Sequence, residues 1–312
     1  MSYSTEALAH ALTATRPGFL SVMALPVLLG SAMAWQAGHG FSVPAFLLAV
    51  GAAVLLHAFA NVVNDLGDHH RGADRLNTTP LTPFAGGSRV IQRGVLDVGG
   101  MKRLAVLLLL SASVIGLVLA WMAGWSLLLL GLAGIVLGLA YSAGPWPLAY
   151  HGLGEPAVAL VFGPMAVAGS YFTQTGDWAP AAWLAGLPVG LLVAAILLVN
   201  EFPDAPSDRL AGKRSWVVLF GARRAWWLLA FIMVLAFALW AVLCLAGVLP
   251  RPLLLVLLVA PLAWQAVLRT PADLVDNPRR LAGIRGVIRT HALFVSLAVM
   301  VLAAMALVAT PG

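Results

Sequence analysis

The stretch Asn61-Val62-Val63-Asn64-Asp65-Leu66-Gly67-Asp68 ends one long apolar run, and Asn200-Glu201-Phe202-Pro203-Asp204-Ala205-Pro206-Ser207-Asp208 ends another. The chain holds only 12 Asp and Glu residues, and seven of them lie in or beside these two segments: Asp65, Asp68, Asp74, Asp97, Glu201, Asp204 and Asp208. A carboxylate at the edge of a bilayer is costly unless a cation holds it there. Two such clusters therefore suggest bound divalent metal.

The composition is that of a membrane protein. Hydrophobic residues make up 61% of the 312 residues and charged residues only 10%, which is far from the composition of a soluble domain. A helix needs roughly 20 apolar residues to cross a bilayer. Nine runs are long enough: 17–36, 43–64, 104–123, 125–142, 155–173, 180–200, 224–246, 250–268 and 289–309. We therefore predict an all-α, polytopic membrane protein with nine transmembrane helices.

The positive charges predict the orientation of the chain. Of the 18 Lys and Arg residues, all but Arg251 lie before the first run, or in and beside the links after the second, sixth and eighth runs. Cytoplasmic loops carry the excess of Lys and Arg. We expect an integral protein of the inner (cytoplasmic) membrane, with a cytoplasmic N-terminus and both acidic clusters on the cytoplasmic side. The net charge of +6 then reflects topology and contact with membrane lipid, and we expect no nucleic-acid partner.

Each acidic cluster follows the second helix of a set of four. This position suggests an internal duplication within a single domain, 1–312, made of two four-helix halves at about 17–150 and 151–268 plus a ninth helix. Membrane proteins built from repeats often place a site between the halves. Cys244 is the single cysteine, so an intrachain disulfide is excluded.

The spacing within each cluster points to a shared site. Residues three, four and seven apart lie on one helix face, and Asn61, Asn64, Asp65 and Asp68 have this spacing. In the second cluster, Pro203 and Pro206 argue against a regular helix, although a broken helix that lines a cavity is tolerated. Magnesium takes one or two carboxylates, keeps several waters and completes its shell with substrate phosphate. Two clusters therefore fit two Mg²⁺ ions on either side of one diphosphate.

Nearby cations fit the same interpretation. Arg71, Arg89, Lys213 and Arg214 are candidates for contact with phosphate oxygens, since Arg and Lys both bind phosphate. The alternative is that they only set the topology. No Cys and His residues have the spacing of a zinc site.

Two long motifs carry a family resemblance. Asn61-x-x-Asn64-Asp65-x-x-Asp68-x-x-x-Gly72-x-Asp74 and Asn200-Glu201-x-x-Asp204-x-x-x-Asp208-x-x-x-Gly212-Lys213 resemble the two aspartate-rich motifs of the UbiA superfamily of intramembrane aromatic prenyltransferases. The resemblance begins at Arg16-Pro17 and includes Gly86-Gly87-Ser88-Arg89. Two further segments, Tyr141-Ser142-Ala143-Gly144-Pro145-Trp146-Pro147-Leu148-Ala149-Tyr150-His151-Gly152-Leu153-Gly154-Glu155 and Phe162-Gly163-Pro164, look most like the 1,4-dihydroxy-2-naphthoate branch, which leads to menaquinone.

The resemblance implies a nine-helix bundle around a central cavity that binds a polyprenyl diphosphate and an aromatic acceptor. It implies two Mg²⁺ ions held by Asp65, Asp68, Asp204 and Asp208, with Asn64 and Glu201 in support and Asp74 as a further ligand. Asn61 and Asn200 are then expected beside the substrate. Arg16 would pair with an acceptor carboxylate or serve the topology. Tyr141 would line the acceptor pocket, face the allylic cation, or lie at the membrane interface.

The acceptor is predicted less directly than the reaction. The ubiquinone-type branch usually has basic residues shortly after the Tyr-Ser pair, and none occurs from Ser142 to Tyr150. This argues against 4-hydroxybenzoate as the acceptor; homogentisate and a glyceryl lipid are further alternatives. Glu201 stands where many members have Asp, which keeps the charge on a longer side chain.

Three other functions compete with prenyl transfer. A phosphatidyl-alcohol transferase would need all its aspartates in one continuous motif, whereas Asp65 and Asp204 lie far apart in the chain. A cation-coupled transporter would favour acids near the middle of the bilayer, whereas both clusters stand at the ends of apolar runs. Acidic loops without a site would leave the helical spacing of Asn and Asp unexplained. We therefore expect Mg²⁺-dependent transfer of a polyprenyl group.

Overall fold

Long helices make up most of the chain. The computed structural model describes residues 10–78, 80–81, 84–270 and 277–309. Its nine main helices are α1 (Pro17–His39), α2 (Val43–Arg71), α3 (Val98–Ala123), α4 (Leu127–Ser142), α5 (Gly154–Thr175), α6 (Pro180–Leu210), α7 (Ala222–Leu245), α8 (Arg251–Arg269) and α9 (Pro278–Ala309). Within the described residues, eight of them are long and apolar enough to cross a membrane, and α4 is a shorter apolar helix. The predicted all-α membrane fold is confirmed.

The helices extend beyond the apolar runs that predict them. α6 continues ten residues past the end of its run, to Leu210, and α2 continues to Arg71. Both acidic clusters therefore lie within helices. α6 also runs unbroken through Pro203 and Pro206, against the expectation of an irregular segment. A proline removes only one backbone hydrogen bond of the preceding turn, and the packing of α6 against its neighbours holds the helix together.

The core of the bundle lies along α6, which packs against α5, α7 and α9. Within this core, Phe294 of α9 contacts Phe237 and Trp240 of α7 edge to face, with ring centroids 5.2 and 4.9 Å apart. Large apolar side chains on α3, such as Leu107 and Trp121, are exposed. An apolar outer surface of this kind suits contact with lipid.

The long link between α2 and α3 folds over one end of the bundle. It begins with a short helix, Ala73–Leu76, and its further described residues up to Asp97 form turns, bends and irregular backbone. Asp97 caps α3, because its Oδ1 accepts a hydrogen bond from the backbone N–H of Gly100 at 2.6 Å. A capping carboxylate of this type stabilises a helix start, so Asp97 serves α3 rather than the acidic clusters.

Candidate functional site

A cavity of about 680 Å³ lies among α1 to α6. Most of its wall is apolar and comes from residues such as Met23, Leu56, Leu130 and Met165. One end is polar, and these side chains line it: Arg16, Asn61, Asn64, Asp68, Asp74, Asn77, Tyr141, Asn200, Glu201, Asp204, Asp208 and Lys213. The fold therefore brings both acidic clusters to one end of a single cavity.

The carboxylate of Asp65 is buried beside this wall, with 3% of the residue exposed. It accepts hydrogen bonds from the Arg16 guanidinium and from the hydroxyl of Ser88. The backbone N–H of Ser88 also donates to Asp65 Oδ2 at 3.2 Å. Arg16 has a left-handed backbone with φ 53°, which is uncommon for a residue other than glycine. Arg16 thus pairs with Asp65 in the structure, and its contact with an acceptor carboxylate stays a prediction.

Lys213 joins the two acidic clusters. Its Nζ lies 3.2 Å from Asp68 Oδ2 and 3.9 Å from Asp208 Oδ1. Burial opposes the charge on Lys213, but the carboxylates of Asp208 and Asp68 outweigh it and raise the pKa of Lys213 well above its usual range. The Tyr150 hydroxyl donates to Asp68 Oδ1 at 2.9 Å. Burial and the Asp68 charge raise the pKa of Tyr150, so the phenol keeps its proton and remains a donor.

The link after α2 holds the aspartate of the second cluster. Asn77 Nδ2 donates to Asp204 Oδ1 at 2.8 Å, and the backbone N–H of Gly86 donates to Asp204 Oδ2 at 2.9 Å. Gly86 has φ 82°, and a Cβ there would lie 2.5 Å from the Cβ of Pro80. Only glycine fits this conformation and this space.

The segment Gly86-Gly87-Ser88 spans the gap between the two clusters. Gly86 donates to Asp204, and Ser88 donates to Asp65. A Cβ on Gly87 would lie 3.2 Å from carboxylate oxygens of both Asp65 and Asp74. One short stretch of backbone therefore contacts both clusters and holds them at a defined distance from each other.

Asn200 and Glu201 leave oxygen atoms unused in the cavity wall. The Oδ1 of Asn200 and the Oε2 of Glu201 are buried, and neither has a hydrogen-bond partner among the residues that the structure describes. The Glu201 side chain hydrogen-bonds to Glu155, whose Oε1 accepts from the backbone N–H of Trp216 at 2.8 Å. A buried acceptor without a donor costs about 1–3 kcal/mol, so either oxygen would be stabilised by a cation or a hydrogen-bond donor that reached it.

Asp74 lies in a concentration of negative charge at this end of the cavity. Burial and the neighbouring carboxylates of Asp68 and Asp65 raise the pKa of Asp74 to about 7. Its Oδ2 accepts a hydrogen bond from Gln92 at 2.8 Å. A cation bound here would offset the repulsion among these carboxylates.

The donor set fits a hard divalent cation. The side chains of Asp68, Asp74, Asp204 and Asp208 line one cavity together with Asn200, and oxygen donors of this kind suit Mg²⁺. Among the residues that the structure describes, no three acidic, His or Cys side chains converge closely enough to form a metal site by themselves. Substrate phosphate and water would complete such a shell, as is usual for Mg²⁺.

Two of the other residues predicted to bind phosphate, Arg71 and Arg89, bond to backbone carbonyls of the protein instead. Arg71 donates to the carbonyls of Ser142 and Gly144, at 3.0 and 2.7 Å, and so joins the ends of α2 and α4. Arg89 donates to the carbonyls of Asp74 and Asn77 and holds the link in place. Arg214 is exposed and does not line the cavity. The phosphate-binding roles of these three residues stay predictions.

The two predicted asparagines of α2 also have fixed partners. Asn61 Nδ2 donates to the carbonyl of Thr15 at 3.0 Å. Asn64 donates to Ser142 Oγ at 2.9 Å and to Asp68 Oδ2 at 3.4 Å. Asn64 Oδ1 also accepts from the Arg16 guanidinium at 3.3 Å, and both asparagines line the cavity.

The site contains residues that the aspartate motifs do not identify. Asn77, Ser88, Tyr150 and Glu155 each contact a predicted site residue. Ser88, Tyr150 and Glu155 lie in segments that carry the family resemblance, but nothing in their spacing indicates which side chain they reach. For Asn77, the sequence indicates nothing beyond its place in the polar link after α2.

The chain is similar to known proteins over most of its length. A model described as the UbiA prenyltransferase family matches residues 23–284. The 1,4-dihydroxy-2-naphthoate octaprenyltransferase of Escherichia coli (strain K12) is 34% identical over 216 residues, which are 67% of this chain and 68% of that protein. The 2-carboxy-1,4-naphthoquinone phytyltransferase of Synechocystis is 28% identical over 280 residues, 88% of this chain and 86% of that one.

Solved structures share the fold. A UbiA homolog from Archaeoglobus fulgidus bound to GPP and Mg²⁺ has a TM-score of 0.63 at 20% identity, over 94% of this chain and 99% of that chain. The apo structure of a UbiA homolog from Aeropyrum pernix K1 has a TM-score of 0.64 at 18% identity, over 92% of this chain and 96% of that chain. Together with the family match and the two acidic clusters, they lead to one conclusion: the chain belongs to the UbiA prenyltransferase family and is an integral membrane prenyltransferase.

Proposed function

We propose that this enzyme transfers a polyprenyl group from a polyprenyl diphosphate to 1,4-dihydroxy-2-naphthoate, with Mg²⁺ as cofactor, in menaquinone biosynthesis. The observation that carries the proposal is the cavity: two acidic clusters from different parts of the chain face one end, and the rest of its wall is apolar. The names of the Escherichia coli and Synechocystis relatives support a naphthalene-type acceptor.

The residues of the site suit the departure of diphosphate. Breaking the allylic C–O bond leaves its electron pair on the diphosphate, and Mg²⁺ held by Asp68, Asp204 and Asp208, with Asp65 and Asp74 near them, would neutralise that charge. Lys213, already paired with Asp68 and Asp208, lies where a phosphate oxygen would meet it.

The apolar wall suits the second half of the reaction. It would hold the isoprenoid tail and keep water away from the allylic cation. A ring carbon of the acceptor then forms the new C–C bond, and the group displaced from that carbon leaves: a carboxyl group as CO₂, or a proton. Tyr141 lines the cavity and would face the cation or the ring.

We further propose the orientation that the charges predict: the N-terminus and the acidic end of the bundle face the cytoplasm in the inner membrane. All the cationic links except the one at Arg251 then lie on the cytoplasmic side. A cytoplasmic site would receive its water-soluble acceptor and release its diphosphate without transport across the membrane.

The test compares variants of purified protein in liposomes, supplied with polyprenyl diphosphate, Mg²⁺ and a panel of acceptors, with products identified by mass. We expect Asp65→Ala and Asp204→Ala to lower transfer at least about 100-fold, because loss of ligands or their partners has large effects on metal sites. Asp177→Ala is the matched control, since Asp177 is exposed and does not line the cavity.

The acceptor panel tests the finer part of the proposal. We expect product with 1,4-dihydroxy-2-naphthoate and none with 4-hydroxybenzoate, homogentisate or a glyceryl phosphate; the reverse pattern would overturn the acceptor assignment. Full activity of either aspartate variant would overturn the site assignment. Substrate flux into liposomes without any covalent product would instead favour the transporter alternative.

A further inference from the structure

An unpaired histidine lines the cavity away from the acidic clusters. His57 of α2 is 9% exposed, and its ring meets that of Phe162 edge to face, with centroids 4.7 Å apart and planes at 90°. Neither ring nitrogen has a hydrogen-bond partner among the described residues. A buried polar group is normally hydrogen-bonded, so this histidine needs an explanation.

Nε2 is the nitrogen of this ring that protein atoms leave accessible. Nδ1 is enclosed by protein atoms, whereas Nε2 is not among the enclosed atoms. His57 is also one of the residues that line the cavity. Phe162 fixes the plane of the ring, so Nε2 has a defined direction for one hydrogen bond. In a neutral imidazole, Nε2 is a donor or an acceptor according to the tautomer.

The position of His57 fits the acceptor better than the diphosphate. Along α2, His57, Asn61 and Asn64 stand four and then three residues apart, so they share one face. His57 lies seven residues, or about 10 Å along the helix axis, before Asn64. It is therefore out of reach of the metal and phosphate, but within the length of a bicyclic aromatic acid that extends from the reacting carbon. A hydrocarbon tail would give Nε2 no hydrogen bond.

We propose that His57 is an acceptor-binding residue, whose Nε2 hydrogen-bonds a ring hydroxyl of the aromatic acceptor and orients the ring toward the allylic carbon. This inference rests on the proposed function and deepens it, since it places the acceptor against α2 and Phe162 of α5. It also explains why a polar side chain stands on an otherwise apolar part of the wall.

The first measurement is the steady-state kinetics of purified full-length protein with 1,4-dihydroxy-2-naphthoate. For His57→Phe, we expect kcat/KM for the acceptor to fall about 10- to 100-fold, the usual effect of leaving one buried hydroxyl without its partner. The KM for the polyprenyl diphosphate stays within about twofold. His57→Gln, which keeps a hydrogen-bonding group, recovers most of the loss.

His291→Phe is the matched control. His291 is also buried, with Nε2 unpaired among the described residues, but it does not line the cavity. The same chemical change there should leave the acceptor kinetics unaltered. The melting temperatures of all three variants check that each remains folded.

A second measurement removes the hydroxyls of the acceptor. Each ring hydroxyl is methylated in turn, and the penalty of His57→Phe is measured for each ether. We expect the penalty to vanish for the ether of the hydroxyl that His57 holds, because the interaction is then already lost. A penalty that persists with every ether would overturn the proposal. Equal losses of kcat/KM in His57→Phe and His57→Gln would also overturn it. So would a His57→Phe variant in which only the KM for the polyprenyl diphosphate rises.

The outcome for His57 is separable from that of the proposed function. If the wild-type protein prenylates a different aromatic acceptor, the naphthoate assignment fails, and the same series with that acceptor still decides the role of His57. Binding without turnover gives an independent result: with an uncleavable diphosphate analogue present, the acceptor should raise the melting temperature of the wild type but not of His57→Phe. An equal rise in both proteins would overturn the inference.

Discussion

Two aspartates of the site, Asp65 and Asp204, are positioned by partners from elsewhere in the chain. Asp204 on α6 is held by Asn77 and Gly86 from the link after α2, and Asp65 on α2 is held by Arg16 and Ser88. Groups that orient metal ligands commonly affect metal affinity and activity by 10- to 100-fold. Substituting one of these supporting residues should therefore have a measurable effect on activity, as substituting an aspartate should.

Asn77→Ala should weaken the site without removing a ligand. The change takes the donor from Asp204 Oδ1 and leaves that carboxylate free to turn. We expect about a 10-fold higher Mg²⁺ requirement for transfer, read from a titration of activity against Mg²⁺. Gln174→Ala is the control, because Gln174 is an amide that bonds to Ser42 away from the acidic residues. An unchanged Mg²⁺ titration in Asn77→Ala would contradict this role.

Lys213→Met should affect the diphosphate more than the acceptor. The substitution keeps an unbranched apolar chain but removes the charge shared by Asp68 and Asp208. We expect the KM for polyprenyl diphosphate to rise at least about 10-fold, since loss of one charge-assisted hydrogen bond costs about 1.5–3 kcal/mol. Arg209→Met, at an exposed position on the same part of the chain, should change it less than twofold. A larger effect in Arg209→Met would indicate a general surface-charge effect.

At the scale of elements, α5 and α6 approach each other through glycine. A Cβ on Gly163 would lie 2.3 Å from the carbonyl oxygen of Gly186 and 2.6 Å from the Cα of Gly190. Small residues permit this close helix packing in membranes. The close approach of the two helices matters for the site because α6 carries Asp204 and Asp208, while Glu155 lies in the first turn of α5.

Gly163→Ala should push α5 and α6 apart. We expect a loss of about 1–3 kcal/mol in stability, the usual cost of overpacking, seen as a lower melting temperature in detergent. Gly51→Ala on α2 is the matched control, because the nearest atom to its new Cβ would lie at 3.7 Å. Equal melting temperatures for Gly163→Ala and the wild type would show that the two helices can separate without cost.

At the scale of the whole molecule, the topology that we propose has nine crossings, with the N- and C-termini on opposite sides of the membrane and the acidic end of the bundle on the side of the N-terminus. We expect Arg93→Cys, between α2 and α3, to react with a membrane-impermeant maleimide only from the cytoplasmic side. Ala246→Cys, between α7 and α8, should react only from the outside. Both positions are exposed, whereas Cys244 is fully buried and gives no background. Labelling of both positions from the same side would contradict the proposed topology.

The sequence by itself determined the class of the molecule: a helical membrane protein with two acidic helix ends. Hydropathy, charge bias and helical spacing are local properties, so they can be read from consecutive residues. Apolar runs do not, however, fix where helices end, and α2 and α6 therefore extend past theirs. The helix through Pro203 and Pro206 also departs from a local rule, because packing along α6 outweighs the loss of two backbone hydrogen bonds.

Only the tertiary structure decided how the site is assembled. Asn77 beside Asp204, Tyr150 beside Asp68 and Lys213 between two clusters are contacts between distant segments, which no local pattern contains. The same is true of His57, whose surroundings come from α2 and α5 together. The physical reason is that hydrogen bonding and burial depend on which segments meet in space, whereas the tendency to cross a membrane as a helix belongs to each segment alone.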